Sequence, residues 1–143
     1  MKKHQIILAL FILLAGCDKS TTPDPCFCSG TENCTDIFVS VGLTIKNQNG
    51  EPYILDSYSI KRVSTDENFD PSLGSRADSI ARSNGAYGLA SDKDIKHIQK
   101  CGEDFLFTGT KNGRKVVEKT YTIAHDCCHV KILKGEKDMV IAQ

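Results

Sequence analysis

The chain has 143 residues, with 18 Lys and Arg set against 18 Asp and Glu, 7% aromatic residues and no Trp. That length suits one domain. With no net charge and no Lys/Arg cluster longer than a pair, a nucleic-acid partner has no electrostatic support.

The chain opens with a positive pair, Lys2 and Lys3, and an apolar run from Ile6 to Leu14. That run is too short to span a bilayer but long enough to act as a secretory signal. It closes in Leu14-Ala15-Gly16-Cys17, which resembles the lipobox of bacterial lipoproteins. The resemblance implies cleavage before Cys17, lipidation of that cysteine with acyl groups such as palmitate, and attachment of the mature protein to a membrane. Each buried methylene contributes about 0.8 kcal/mol, so two or three chains hold effectively permanently. Removing residues 1–16 takes Lys2 and Lys3 away and leaves 16 basic against 18 acidic residues.

Residues 18–25 are polar and interrupted by Pro23 and Pro25, the composition of a tether. The organisation expected is a signal peptide over 1–16, a lipidated cysteine and tether with a Cys-rich start over 17–34, and a domain over 35–143. The expected location is the cell envelope, in the outer membrane rather than the inner. Six cysteines follow Cys17: Cys26, Cys28, Cys34, Cys101, Cys127 and Cys128. In an exported chain an even number reads as disulfides, and six allow 15 pairings. Adjacent Cα atoms lie about 3.8 Å apart, below the ~4.4 Å that a disulfide usually needs, which argues against Cys127 with Cys128. Cys26 with Cys28 is nearly as awkward. Each pair occurs in three of the fifteen and both in one, so ten remain. On a strand, Cys127 and Cys128 point to opposite faces, placing one bond in the core and one on the surface.

Val39, Val41, Leu43 and Ile45 alternate with polar residues, which predicts a strand over 37–46 with one buried face. Asn47-Gln48-Asn49-Gly50 supplies a turn after it. Residues 57–63 form the next strand, and 66–75 read as a long loop. The loop's Asp66, Glu67 and Asp70 do not match a calcium loop. A short strand over 85–89 precedes a helical turn or two over 91–100, with Ser91 or Asp92 as cap and Ile95 and Ile98 on one face. Strands over 105–109 and 115–124 flank Asn112-Gly113, a hairpin signal. Two more follow, one with Cys128, Val130 and Ile132 alternating, one over 139–142. The fold class expected is all-β: a small antiparallel β-sandwich of about seven strands, stapled by disulfides.

The Val39–Pro52 run with its Asn-Gln-Asn-Gly-Glu-Pro corner, and Asn84-Gly85-Ala86-Tyr87-Gly88-Leu89, resemble carboxypeptidase regulatory-like and transthyretin-like domains of exported bacterial proteins. The similarity spans about 37–130 and departs from the pattern around 66–83 and at the cysteines. It implies a non-catalytic sandwich and carries over no active-site residue.

His125-Asp126-Cys127-Cys128-His129 is the stretch densest in ligand types. His125, Cys127 and His129 share strand parity, which offers a site for Zn(II) or copper. Against it, an oxidising compartment consumes thiols as disulfides. Cys26-x-Cys28 lacks the Cys-x-x-Cys spacing of redox pairs. There is no Gly-x-Ser-x-Gly, phosphate loop or His-Glu-x-x-His, and Asp92/Asp94 and Glu103/Asp104 read as solvated surface. The expectation is a non-enzymatic module without cofactor. It would bind a protein or glycan partner through loops 64–83 and 111–114. The alternative is a metal or thiol-redox protein using His125, Cys127, Cys128 and His129.

Overall fold

A computed structural model describes residues 24–142; Ile6–Leu14 and Cys17 lie outside them. Seven strands form: β1 (Ser40–Asn47), β2 (Ser57–Arg62), β3 (Ala86–Ser91), β4 (Glu103–Lys111), β5 (Arg114–His125), β6 (Val130–Lys134) and β7 (Asp138–Ile141). One sheet has the order β3-β1-β7 and the other β2-β4-β5-β6. This is the expected disulfide-stapled sandwich, with one departure. β7 runs parallel to β1, Thr44 opposite Asp138 and Asn47 opposite Ile141, while the other pairs are antiparallel.

The alternation in β1 buries Leu43 and Ile45 against Ile60, Phe105, Phe107, Tyr121 and Ile123 of the other sheet. Burying each such side chain contributes roughly 1.5–3 kcal/mol. Without Trp, aromatic contacts bridge the layers: the Tyr87 ring of β3 lies 5.4 Å from Tyr58 of β2 and 6.0 Å from Phe107 of β4. Asn112 and Gly113 both take positive φ, 50° and 70°, the pair of angles that a type I′ hairpin turn between right-twisted strands requires.

The registers give the molecule two poles. Ser40 pairs with Ser91, Arg62 with Phe105, and Glu103 with Ile123, so these strand ends share the pole that carries Cys101, Cys127 and Cys128. Asn47, Ser57 and the Lys111–Arg114 hairpin lie at the other.

The segment over 64–83 is not a loop throughout. Glu67–Phe69 returns along β2, with Phe69 N–H donating to Ile60 O at 2.8 Å. Ser75–Ser83 then forms a helix, α1. Its interior holds good helix formers and an Asp78–Arg82 pair at 2.7 Å, the i,i+4 spacing that stabilises a helical turn. It was missed because Ile80 is exposed, so the segment lacks an apolar period, and because Pro71 and Gly74 read as breakers.

Two buried tyrosines fix the connections. Tyr87 OH donates to Tyr53 O at 2.9 Å and accepts the Leu55 N–H at 2.7 Å. Tyr121 OH donates to Glu136 O at 2.7 Å, which pins the crossover from β6 to β7, and burial pushes Tyr121 up to about 12. At that crossover Gly135 has φ 128°, and a β-carbon there would overlap the Tyr121 ring. Gly113, also at positive φ, faces open space. Gly135→Ala is therefore expected to cost about 2–4 kcal/mol, strain plus overlap, and Gly113→Ala about 1–2 kcal/mol. Urea denaturation with the disulfides intact checks this, and equal losses would contradict the steric account.

Candidate functional site

Three disulfides gather at one pole: Cys26–Cys101, Cys28–Cys127 and Cys34–Cys128, with Cα separations of 5.0, 5.7 and 5.3 Å. Every bond joins the segment 26–34 to the 101–128 region, one of the ten pairings left open by spacing, and Cys127 and Cys128 take different partners. The expected division into a core bond and a surface bond does not occur. Residues 126–129 leave the strand, because Asp126 Oδ1 accepts the Cys128 and His129 N–H groups at 3.0 and 2.8 Å. A side-chain acceptor that competes with the ladder in this way makes a turn. Cys127 takes φ 81° within it, and both bonds lie at the surface, with Cys28 and Cys34 exposed.

The N-terminal segment is also fastened by hydrogen bonds centred on Asp92, the first residue of a 3₁₀ helix over Asp92–His97. Its Oδ2 accepts Val39 N–H at 2.7 Å and His129 Nδ1–H at 2.8 Å, and its Oδ1 accepts Val130 N–H at 2.9 Å. Thr35 Oγ1 lies 2.9 Å from His129 Nε2. Hydroxyl, imidazole and carboxylate stand in the order of a nucleophile relay. Here the chain links residue 35 to the sandwich and Asp92 also holds two backbone donors, so it acts as a staple. Burial pushes the Asp92 carboxyl up, but the bonds from His129, Val39 and Val130 outweigh it and hold the group below the ordinary aspartate value of 3.8. Asp126 is likewise lowered by the N–H groups of His129 and Cys128.

His125, Cys127 and His129 do not converge, since the turn breaks their strand parity. His129 turns to Asp92, while His125 is buried with Nδ1 accepting Cys127 N–H at 3.0 Å and Nε2–H donating to Ile98 O at 3.0 Å. With one ring nitrogen accepting and the other donating, the imidazole has no lone pair left to offer. The ligand atoms of Cys28, His125 and Cys127 do lie within 4.8 Å of one another, but both sulfurs belong to one disulfide.

Of the carboxylates read as solvated surface, Asp104 is exposed as expected and the others need correction. Asp94 is buried, its Oδ2 accepting Ser91 N–H at 2.8 Å and its Oδ1 Ser72 N–H at 3.0 Å. With Ser91 it completes a capping box, a reciprocal arrangement that satisfies donors at the helix start. Glu103 is paired with Arg62, whose guanidinium lies 5.3 Å from the Phe105 ring centre. Sequence reading missed Asp92 and Asp94 as organising residues, although the Ser91-x-x-Asp94 spacing carries the signal.

Among the described residues, the surface clefts include two of similar size. One of about 450 Å³ lies along the outer edge of β2, between Tyr58, Phe69, Asp70, Asp78 and Arg82. Tyr58, pushed up to about 12 by burial and by Asp78, donates to Asp78 at 3.2 Å there. The other, of about 520 Å³, lies at the disulfide pole between Phe27, Lys96, Ile98 and His125. Neither includes Thr35. Among the described residues no helix is long and apolar enough to cross a membrane. Comparison with known protein families, characterised proteins and solved structures finds no match for this chain.

The lowered Asp92 makes the staple acid-sensitive. Above the ordinary value of 3.8 its contribution is complete. As pH falls from there through the lowered native value, the unfolded chain takes up the proton first and stability is lost. Asp92→Asn is expected to cost about 2 kcal/mol at neutral pH, by leaving donors unpaired, and to flatten the acid limb. Denaturation midpoints at about pH 7 and pH 3 check both, and an undiminished acid loss in Asp92→Asn would overturn this assignment.

Proposed function

We propose that the chain is a lipid-anchored bacterial envelope protein whose sandwich serves as a binding or accessory module rather than an enzyme. The observation that carries the reading is the placement of the disulfides. All three tie residues 26–34 to one pole, so a tether over 17–25 leads off from that pole. The opposite pole carries the polar hairpin Lys111–Arg114 and the turn Asn47–Gly50. A module held at one end with loops at the other is the arrangement expected for presenting a contact surface away from a membrane.

The contacts proposed are the Lys111–Arg114 hairpin and, within the 64–83 segment, the part that runs from Glu67 away from the disulfide pole, including α1, for a protein or glycan partner at the outer membrane. Against the alternative of a metal on the cysteines stands their bonding, Cys127 and Cys128 each to a distant partner.

Two measurements test the reading. Cys17→Ala is expected to abolish incorporation of labelled palmitate and to leave an unprocessed or soluble chain; palmitate still entering Cys17→Ala would sink the anchor. The six cysteines of intact protein are expected to take up no alkylating reagent until reduced, with a melting temperature unchanged by chelator. A stoichiometric metal lost on His125→Ala would favour the alternative instead.

A further inference from the structure

We infer that the disulfide pole is a membrane-resting surface: Phe27, Ile37, Phe38 and Val63 enter the interface of the bilayer to which the chain is tethered. This deepens the anchored reading and rests on it. The four are 76%, 68%, 58% and 53% exposed, and all belong to this pole. Phe27 lies between Cys26 and Cys28, beside Lys96 and Lys100. Val39, next to Phe38, is bonded to Asp92 at the start of the 3₁₀ helix. Val63 follows the end of β2, its N–H donating to Asp104 O at 2.9 Å. At the opposite pole the turns Asn47–Gly50 and Lys111–Arg114 carry no large apolar side chain, and the exposed apolar residues of that half, Ile54 at 39% and Val140 opposite Lys46 at 68%, have no exposed aromatic beside them.

The cations fit the same orientation. Lys93 Nζ lies 5.8 Å from the Phe38 ring centre, and Lys100 Nζ donates to Phe27 O at 2.6 Å. Lysines beside exposed aromatics suit the headgroup layer, where ring and stem enter and the ammonium stays in water. Asp24, Glu32, Asp36 and Asp126 share the pole, so apolar entry rather than charge supplies the attraction, and zwitterionic lipid suffices. The chain outside the structure favours this partner. From Cys17 to Asp24 an extended chain reaches at most about 25 Å, and Cys26 is then bonded to the pole, so the tether keeps this face nearest the lipid.

The protein has no Trp, so one introduced indole reports its own surroundings. The full lipidated chain carrying Phe27→Trp, and separately Gln48→Trp at the opposite pole, is reconstituted into phosphatidylcholine vesicles with acyl chains brominated or not. Phe27→Trp emission is expected to shift to the blue and to fall at least twofold with brominated lipid, while Gln48→Trp is unaffected. Adding Ile37→Ser and Phe38→Ser, both exposed, is expected to remove at least half of that quenching. Vesicles that float the protein but quench neither probe would overturn the resting surface and leave the anchor standing. Protein that does not float would overturn both. A blue shift seen only in native envelope membranes would assign this pole to a protein partner, and quenching untouched by the serine substitutions would reject the patch.

Discussion

The covalent fastening of residues 26–34 across one end of the sandwich is the constraint on which the molecule's polarity depends. Bonds spanning 75, 99 and 94 residues each close a loop worth about 4.5 kcal/mol in the chain-entropy model if formed alone. They do not add. Once Cys34–Cys128 exists, Cys28–Cys127 closes only the small ring of residues 28–34 with 127 and 128, for which the same model gives about 2.5 kcal/mol. The later bonds therefore fix the path of a strandless segment more than they stabilise the core. That segment has little else to hold it, because its large side chain Phe27 is exposed.

The hydrogen bonds at the pole do a complementary job. Disulfides set where the segment attaches, whereas Asp92 sets how it enters β1, by holding Val39 N–H while the Asp92 N–H returns to Val39 O at 3.0 Å. Asp94, three residues beyond Ser91, ties the same corner to Ser72 ahead of α1. Two carboxylates separated by one residue thus brace opposite flanks of the 3₁₀ helix. Their burial is tolerable because every buried side-chain polar atom among the described residues has a partner, the condition under which a charged group can leave water without a large penalty.

The strands were legible where one face is buried and the pattern has period two, as in β1 with Leu43 and Ile45, or where turn chemistry is strict, as at Asn112-Gly113. The parallel β1·β7 pair was not legible, because Met139 and Ile141 alternate identically whichever way their partner runs. α1 escaped because its stability comes from Asp78–Arg82 and from cover over β3 rather than from an apolar stripe. The cysteine partners were bounded by spacing, but strand parity failed at Cys127 because one aspartate, Asp126, redirects the backbone. The organising role of Asp92 depends on His129 and Val130, nearly forty residues away, and no local pattern encodes that meeting.

The arrangement also determines how force would travel from an anchor. A pull at the tether reaches Cys26 and passes directly to Cys101, at the entry to β4. β4 is hydrogen-bonded on both sides, to β2 and to β5. Load therefore enters the central part of the larger sheet through a covalent bond and does not pull on β1, the central strand of the smaller sheet. The segment between Cys34 and Ser40, which leads into β1, lies behind Cys34–Cys128 and carries no tension while that bond is intact. Reduction would reverse this. The same pull would then run through Val39 into β1, against hydrogen bonds such as those to Asp92 and between Thr35 and His129, so the mechanical strength of the sandwich is tied to its disulfides.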